Sequence, residues 1–264
     1  MRVVAATVLA NDAIASETRL LRLHEPYIAA TARPGQFLHV RCAPVVGGVA
    51  LSNDPLLRRP LSVMHVDRQS GECTLLVAIV GRGTSWLAGL PPGQAVDVLG
   101  PLGRPFEVHP RTRRALMIAG GIGVAPVAAL AEELVARELE VTLVAGYRDA
   151  AHVLPAEHVS PEVEYVIATN DGSAGRTGTA TRVAAEYLAW ADEVFACGPL
   201  PMLRALARMD RPSRLRVQVS MEEHMGCAMG VCLGCVVRTR KGYQRVCRDG
   251  PVFDIAEIEW QESD

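Results

Sequence analysis

The chain has 264 residues, enough for two ordinary domains or one large one, and 49% of them are hydrophobic, so sizeable cores can be filled. No run approaches the roughly eighteen apolar residues of a membrane span. The net charge of −2, with a pI of about 6.4, comes from interspersed signs, and aromatic residues are scarce at 5%, which argues against nucleic-acid and membrane partners and for a cytoplasmic location.

The first residues, Met1-Arg-Val-Val-Ala-Ala-Thr-Val-Leu-Ala, imitate a short secretory segment ahead of Ala13-Ile-Ala-Ser. Asn11 and Asp12 interrupt it, and a first β-strand accounts for the same residues.

Up to about residue 105 the pattern is one of short β-like runs, over 3–9, 18–23, 36–41, 61–66, 73–80 and 95–99. Pro34-Gly35, Gly47-Gly48, Ser70-Gly71 and Pro92-Gly93 punctuate them at hairpin-like intervals, which predicts a small antiparallel β-barrel over 1–105. Gly100-Pro-Leu-Gly-Arg-Pro reads as a linker.

Beyond it, strands are expected at 114–119, 141–146, 165–168 and 193–197, and helices at 127–138, at 180–187 and from about Pro201. Strand and helix in alternation predict a doubly wound parallel α/β sheet over 106–218. The remaining segment, 219–264, is rich in glycine and cysteine and too short to build a core alone; it is expected to need a metal and to pack on the barrel.

Four of the seven cysteines fall in that segment, as Cys227, Cys232, Cys235 and Cys247. Four residues separate the first pair, two the second, and eleven lie between Cys235 and Cys247, the plant-type C-x4-C-x2-C…C spacing of an iron–sulfur ligand set. Gly226, Gly230 and Gly234 let such a loop turn sharply around its sulfurs. A zinc site would more usually offer two C-x2-C pairs, whereas only Cys232 and Cys235 form one. Disulfides fit poorly in a chain without a convincing export signal, with Cys42, Cys73 and Cys197 left over as an odd set in apolar contexts. Four unrelated thiols would rarely cluster so.

Two loops of the α/β region carry phosphate chemistry. Ile118-Ala-Gly-Gly-Ile-Gly-Val places Gly120, Gly121 and Gly123 between a buried strand and a helix, where free backbone N–H groups can face a pyrophosphate. Phe195-Ala-Cys-Gly-Pro lies at the carboxyl end of a later strand, so both loops are expected to open into one crevice. Cys197 to Pro199 would shape a nicotinamide pocket there, although a buried structural thiol explains Cys197 as well. In the barrel region, Arg59-Pro-Leu-Ser offers a guanidinium fork, and Gly81-Arg-Gly-Thr a helix start at Gly83 and Thr84. Asp171, Ser173, Glu222 and His224 are polar residues near these motifs for which no catalytic role is expected. Arg148 lies where it would meet a 2′-phosphate if the dinucleotide carried one.

Taken together, Arg59-Pro-Leu-Ser, Gly81-Arg-Gly-Thr, Ala119-Gly-Gly-Ile-Gly-Val-Ala-Pro and Cys197-Gly-Pro resemble the ferredoxin reductase superfamily. Thr169-Asn-Asp-Gly-Ser-Ala-Gly, Gly178, Ser220-Met-Glu, the four cysteines and Asp249-Gly-Pro-Val-Phe narrow the resemblance. Over essentially its whole length the chain is similar to the electron-transfer subunits of NAD-dependent (class 1B) dihydroorotate dehydrogenases. That resemblance implies FAD in the barrel, a [2Fe-2S] cluster on Cys227, Cys232, Cys235 and Cys247, and NAD as the external acceptor. It also implies a catalytic FMN-containing partner chain acting on dihydroorotate, with two copies of each chain in a heterotetramer. By the same token Arg59, Pro60, Leu61 and Ser62 would contact FAD, Gly83 and Thr84 its phosphates, and the backbone of Leu76, Val77 and Ala78 the flavin. Electrons would come singly from the partner's FMN through the cluster to FAD and leave as hydride to the nicotinamide.

Ala228 and Met229 depart from the family pattern, which is expected to carry glycine and a smaller residue there. The departure bears on the exposure and potential of a cluster, not on its four ligands. The rival reading is an NAD(P)H-linked flavin and iron–sulfur subunit of another complex, of hydrogenase or ferredoxin:NADP reductase type. From a different class comes a zinc-stabilised interaction protein with an incidental nucleotide fold.

Overall fold

The computed structural model describes residues 1–46, 49–50 and 52–260. Its first half carries β1 (Arg2–Ala15), β2 (Thr18–His24), α1 (Pro26–Thr31), β3 (Phe37–Val40), β4 (Val45–Val46), β5 (Val49–Ala50), β6 (Arg59–Asp67), β7 (Glu72–Ala78), α2 (Arg82–Ala88) and β8 (Ala95–Leu102). Six of these strands close a barrel in the order β1-β2-β7-β6-β3-β8, every adjacent pair antiparallel. They are the six runs expected from alternation and turn residues. The Gly47-Gly48 turn lies outside the described residues.

Period-two patterning fills the barrel. Ala6 and Val8 from β1, Leu21 and Leu23 from β2, Leu75 and Val77 from β7, and Val96 and Val98 from β8 point inward and are buried together. Each fully buried Val or Leu contributes about 1.5–3 kcal/mol of transfer free energy. Cys42 and Cys73 lie in the same core, where burial pushes their thiols up to about 11 and about 12. They are structural.

The segment expected as a linker is only partly one. β8 continues through Gly100, Pro101 and Leu102, pairing Gly100 with Arg2 and Leu102 with Phe37. A Cβ on Gly100 would come within 2.5 Å of Leu38 Cδ2, so the glycine serves close approach inside the barrel and does not break the strand.

The second half alternates β9 (Arg114–Gly120), α3 (Val124–Val135), β10 (Glu140–Tyr147), β11 (Glu164–Thr169), β12 (Arg176–Thr177), α4 (Ala180–Ala184), β13 (Glu193–Cys197), α5 (Leu200–Arg208) and β14 (Arg216–Ser220). Helix α3 starts three residues before the expected Val127, because Pro126 sits in the first turn, where its missing N–H costs nothing. It also ends earlier than expected, and Glu138, beyond it, has φ +60°. The expected helix from Ala180 stops at Ala184 and tightens into a 3₁₀ turn over Ala185–Tyr187.

The cysteine-rich tail adds the hairpin β15 (Val236–Thr239) and β16 (Gly242–Arg245), then β17 (Val252–Asp254). The large sheet runs β12-β11-β10-β9-β13-β14-β17, parallel except for β17, which pairs antiparallel with β14. The tail is therefore stitched into the α/β sheet and not onto the barrel alone, as expected from its length. Cys235, Val246, Cys247, Phe253 and Ile258 share one core with Val217 and Val219 of β14 and with Phe37, Leu99 and Leu102 of the barrel. A segment too short for its own core borrows two others.

Sheet order fixes where ligands bind. The chain leaves β9 in one direction through β10 to β12, then crosses back to lay β13 on the other side of β9. The loops after β9 and β13 thus part at a switch point, outside the carboxyl ends of the strands, which is where an open α/β sheet leaves a crevice.

Candidate functional site

At that switch point Gly120, Gly121, Ile122, Pro199 and Met202 line a crevice of about 430 Å³, with Asn170 and Thr179 from neighbouring loops. The two expected loops do converge. A Cβ on Gly123 would lie 2.4 Å from the Cys197 carbonyl oxygen, and one on Gly120 would lie 2.7 Å from Pro199 Cδ. Gly123 is thus where one loop packs on the other, while Gly120 and Gly121 face the crevice. Gly198 closes the contact from its side: a Cβ there would meet Gly120 N at 2.9 Å.

Cys197 does not form the crevice wall. It is 1% exposed, with its sulfur 3.8 Å from Glu222 Oε1. Burial and the nearby carboxylate push its thiol well above the usual range, and desolvation likewise raises the Glu222 carboxyl. Asp171 and Ser173 belong to a turn, with Asp171 Oδ1 accepting from both the N–H and the hydroxyl of Ser173. Arg148 lines the crevice but is engaged by Asp149 (3.1 Å) and His152 (2.7 Å). His152 and Thr179 are crevice residues that no motif in the sequence announced, because they reach the crevice from separate loops, whereas Asn170 belongs to the Thr169-Asn-Asp-Gly-Ser motif.

A second cavity, of about 870 Å³, lies between the barrel, α3 and the tail. Arg59, Pro60, Leu61 and Ser62 of β6 line it, as do Leu76 and Ala78 of β7 and Thr84 of α2. Val77, between the last two on β7, points into the barrel core and can offer only its backbone. Arg59 Nη1 donates to the carbonyls of Leu57 (2.5 Å) and Arg58 (3.2 Å), and a Cβ on Gly83 would come within 2.7 Å of its Nε. Gly83 therefore leaves room for the guanidinium. The Thr84 hydroxyl is taken up locally: it accepts from Val80 N and Gly81 N and donates to Gly81 O. Any phosphate contact from Thr84 falls to its backbone N–H. A cationic fork set beside a helix start and above an apolar floor suits FAD, with Arg59 on the diphosphate and the β6 and β7 backbone along the ring.

The two cavities adjoin. Leu76, Ala78, Val80 and Ile122 line both, while the far end of the larger one reaches Met225 and Gly226 of the cysteine loop. Glu222, Glu223 and His224 stand on this last stretch.

In the cysteine loop the backbone N–H groups of Met229, Val231 and Cys232 all point at Cys227 Sγ, at 3.4, 3.3 and 3.4 Å. Burial opposes ionisation of Cys227, but these donors outweigh it and bring the thiol down to about 6. The turn that aims them needs left-handed backbone at Ala228 (φ +55°), Gly230 (φ +82°) and Leu233 (φ +58°). Ala228, the departure from the family pattern, thus adopts a conformation glycine takes freely. Cys232 neighbours Cys227, and Cys247 neighbours Cys235 with Cys227 within electrostatic reach. Among the described residues no three ligating side chains converge on a single-ion site. Two thiolates per iron is what a two-iron cluster asks for, and all seven cysteines are unbridged. Cys232 is exposed, Cys227 intermediate, and Cys235 and Cys247 buried.

Comparison with known proteins follows the same division. The iron–sulfur cluster binding domain of dihydroorotate dehydrogenase B matches residues 222–259, an oxidoreductase NAD-binding domain residues 117–208, and an oxidoreductase FAD-binding domain residues 5–106. The chain is 43% identical over 257 residues to the electron transfer subunit of dihydroorotate dehydrogenase B (NAD(+)) of Geobacillus kaustophilus, covering 96% of both chains. It is 38% identical over 267 residues to that of Desulforamulus reducens, covering 98% of this chain and 99% of the other. Among solved structures it is similar to an NADH-dependent reduced ferredoxin-NADP oxidoreductase, with a TM-score of 0.84 and 27% identity over 97% of this chain and 90% of that one. Phthalate dioxygenase reductase shares the fold, with a TM-score of 0.64 at 20% identity over 93% and 94% of the two chains. The chain belongs to the family of electron transfer subunits of NAD-dependent dihydroorotate dehydrogenase B.

Proposed function

We propose that this chain passes electrons from a partner dihydroorotate dehydrogenase, which holds FMN, to NAD⁺, in a cytoplasmic heterotetramer of two plus two chains serving pyrimidine biosynthesis. When bound, the cluster supplies one-electron transfer and FAD the exchange between one-electron and two-electron chemistry. The observation that carries this reading is the continuity of the two cavities from the glycine loops, across Leu76, Ala78, Val80 and Ile122, to the cysteine loop.

The protein's own residues orient and exclude water. Arg59 and the first turn of α2 would hold the FAD diphosphate, and the shared apolar wall lets a nicotinamide lie against the flavin. Residues that fixed the two rings against each other would make hydride transfer effectively intramolecular, a contribution of several kcal/mol. Gly120 and Gly121 let the dinucleotide diphosphate approach the backbone. Cys227, Cys232, Cys235 and Cys247 would ligate the cluster, with exposed Cys232 on the side open to a partner. Arg148 is paired with Asp149 and His152, and the relatives are NAD(+)-linked, which together favour NAD over the NADP-linked alternative.

The test is co-purification under anaerobic conditions with the partner chain, followed by assay with dihydroorotate and NAD⁺. The complex is expected to turn over, and the isolated chain to oxidise NADH with artificial acceptors but leave dihydroorotate untouched. Dihydroorotate turnover by the isolated chain would overturn this division of labour.

A further inference from the structure

The Asp249-Gly-Pro-Val-Phe motif ends in strand β17, and its first residue has a partner beside the cysteine loop. Arg245 Nε donates to Asp249 Oδ2 at 2.8 Å and Nη2 to Oδ1 at 3.1 Å, a two-pronged ion pair, while Arg245 N–H also reaches Oδ2 at 2.9 Å. The remaining nitrogen, Nη1, donates to the carbonyl of Gly230 at 3.2 Å.

Gly230 belongs to the loop between Cys227 and Cys232, whereas Arg245 ends the strand that leads to Cys247. One guanidinium therefore ties the exposed half of the ligand set to the buried half. Gly230 is held on its other side as well: its φ is +82°, and a Cβ there would lie 2.8 Å from Arg248 Cδ. The Arg245 side chain is only 29% exposed, that of Asp249 23%, and Cys235 and Cys247 lie within the electrostatic reach of Arg245. A half-buried charge is screened far less than one in open solvent.

We propose that Arg245 is a positioning residue for the cluster that also sets its potential: its fork braces the Cys227–Cys232 loop against the Cys247 strand, its charge favours the reduced cluster, and Asp249 offsets part of that charge. The argument rests on the electron-transfer reading above. Gaining an electron makes the four-thiolate cluster one unit more negative, so a fixed cation nearby favours the reduced state and a fixed anion disfavours it. Arg104 and Arg248 also stand near this pair, Arg104 toward Asp249 and Arg248 against Gly230, and both remain in every variant below.

The test uses the full chain in complex with its partner, purified anaerobically, in three variants: Arg245→Gln, Arg245→Lys and Asp249→Asn. Iron content, the low-temperature EPR spectrum of the reduced cluster and its midpoint potential in a mediated redox titration are the readouts. Arg245→Gln is expected to move the midpoint to a more negative value, and Asp249→Asn to a more positive one. Arg245→Lys keeps the charge but cannot span Asp249 and Gly230 together. It should hold its potential near the parent value and lose iron to a chelator about tenfold faster. Opposite shifts from the two charge variants cannot come from loosening alone. Shifts in the same direction, or no shift in either, would overturn the proposal, as would unchanged chelation in both Arg245 variants. If Arg245→Gln does not retain iron, Asp249→Asn still decides the electrostatic claim. Parent protein with about two irons per chain but unmoved potentials would sink only the role of Arg245. Zinc in the parent protein would sink the cluster itself.

Discussion

Cys197 Sγ lies 3.8 Å from Glu222 Oε1, so the end of β13 and the start of the cysteine segment meet through a buried thiol and a carboxyl at the protein surface. Glu222 also lines the larger cavity. Desolvation against the cavity wall raises its carboxyl above the ordinary value of 4.5, and the folded state therefore holds a proton that the unfolded chain releases first. Stability linked to Glu222 is complete below pH 4.5 and is lost as pH rises through the higher folded value. Glu222→Gln should flatten that part of the stability–pH curve of the flavin-free chain. Thermal unfolding of both proteins across that range is the measurement; parallel curves would contradict the assignment.

His65 Nδ1 sits 2.7 Å from Glu132 Oε2 and links barrel strand β6 to helix α3. The hydrogen bond that His65 donates to the Glu132 carboxylate raises the His65 pKa above 6.5, so the stabilisation is present below that value and disappears as pH climbs through the raised one. Both side chains are close to half exposed, which limits the pair to less than about 1 kcal/mol. Glu132→Gln should lower Tm slightly in mild acid and leave it unchanged in alkali.

Gly123 meets the backbone of Cys197 so closely that a methyl group must push the two loops apart. Gly123→Ala is expected to cost about 1–3 kcal/mol and to raise the KM for NADH, with FAD content unchanged. Denaturant unfolding and steady-state kinetics check the two halves of that statement.

Leu233 carries a left-handed backbone (φ +58°) with its side chain 60% exposed, so little burial opposes relief of the strain. Leu233→Gly should stabilise the loaded chain by about 0.5–1 kcal/mol, the steric gain exceeding the entropy of glycine. Thermal release of iron reports it.

Cys232→Ser removes the exposed thiol of the proposed ligand set. The variant should keep its FAD spectrum and its NADH oxidation with artificial acceptors. Dihydroorotate-driven NAD⁺ reduction in the complex should fall more than about tenfold, with iron content falling alongside.

Local patterns carried most of the architecture. Alternation with Pro-Gly and Ser-Gly turns foretold six barrel strands, strand–helix alternation foretold the parallel sheet, and cysteine spacing foretold an iron–sulfur segment, because each depends on neighbours a few residues apart. Tertiary structure alone decided the rest. That Cys197 meets Glu222, that Gly123 packs on the Cys197 carbonyl, and that Val252–Asp254 closes the large sheet all follow from contacts between segments far apart in the chain. The same holds for Arg245, whose reach from Asp249 to Gly230 exists only once the hairpin has folded over the cysteine loop. Periodicity records which face of an element is apolar; it holds no information on which distant polar group that element will meet.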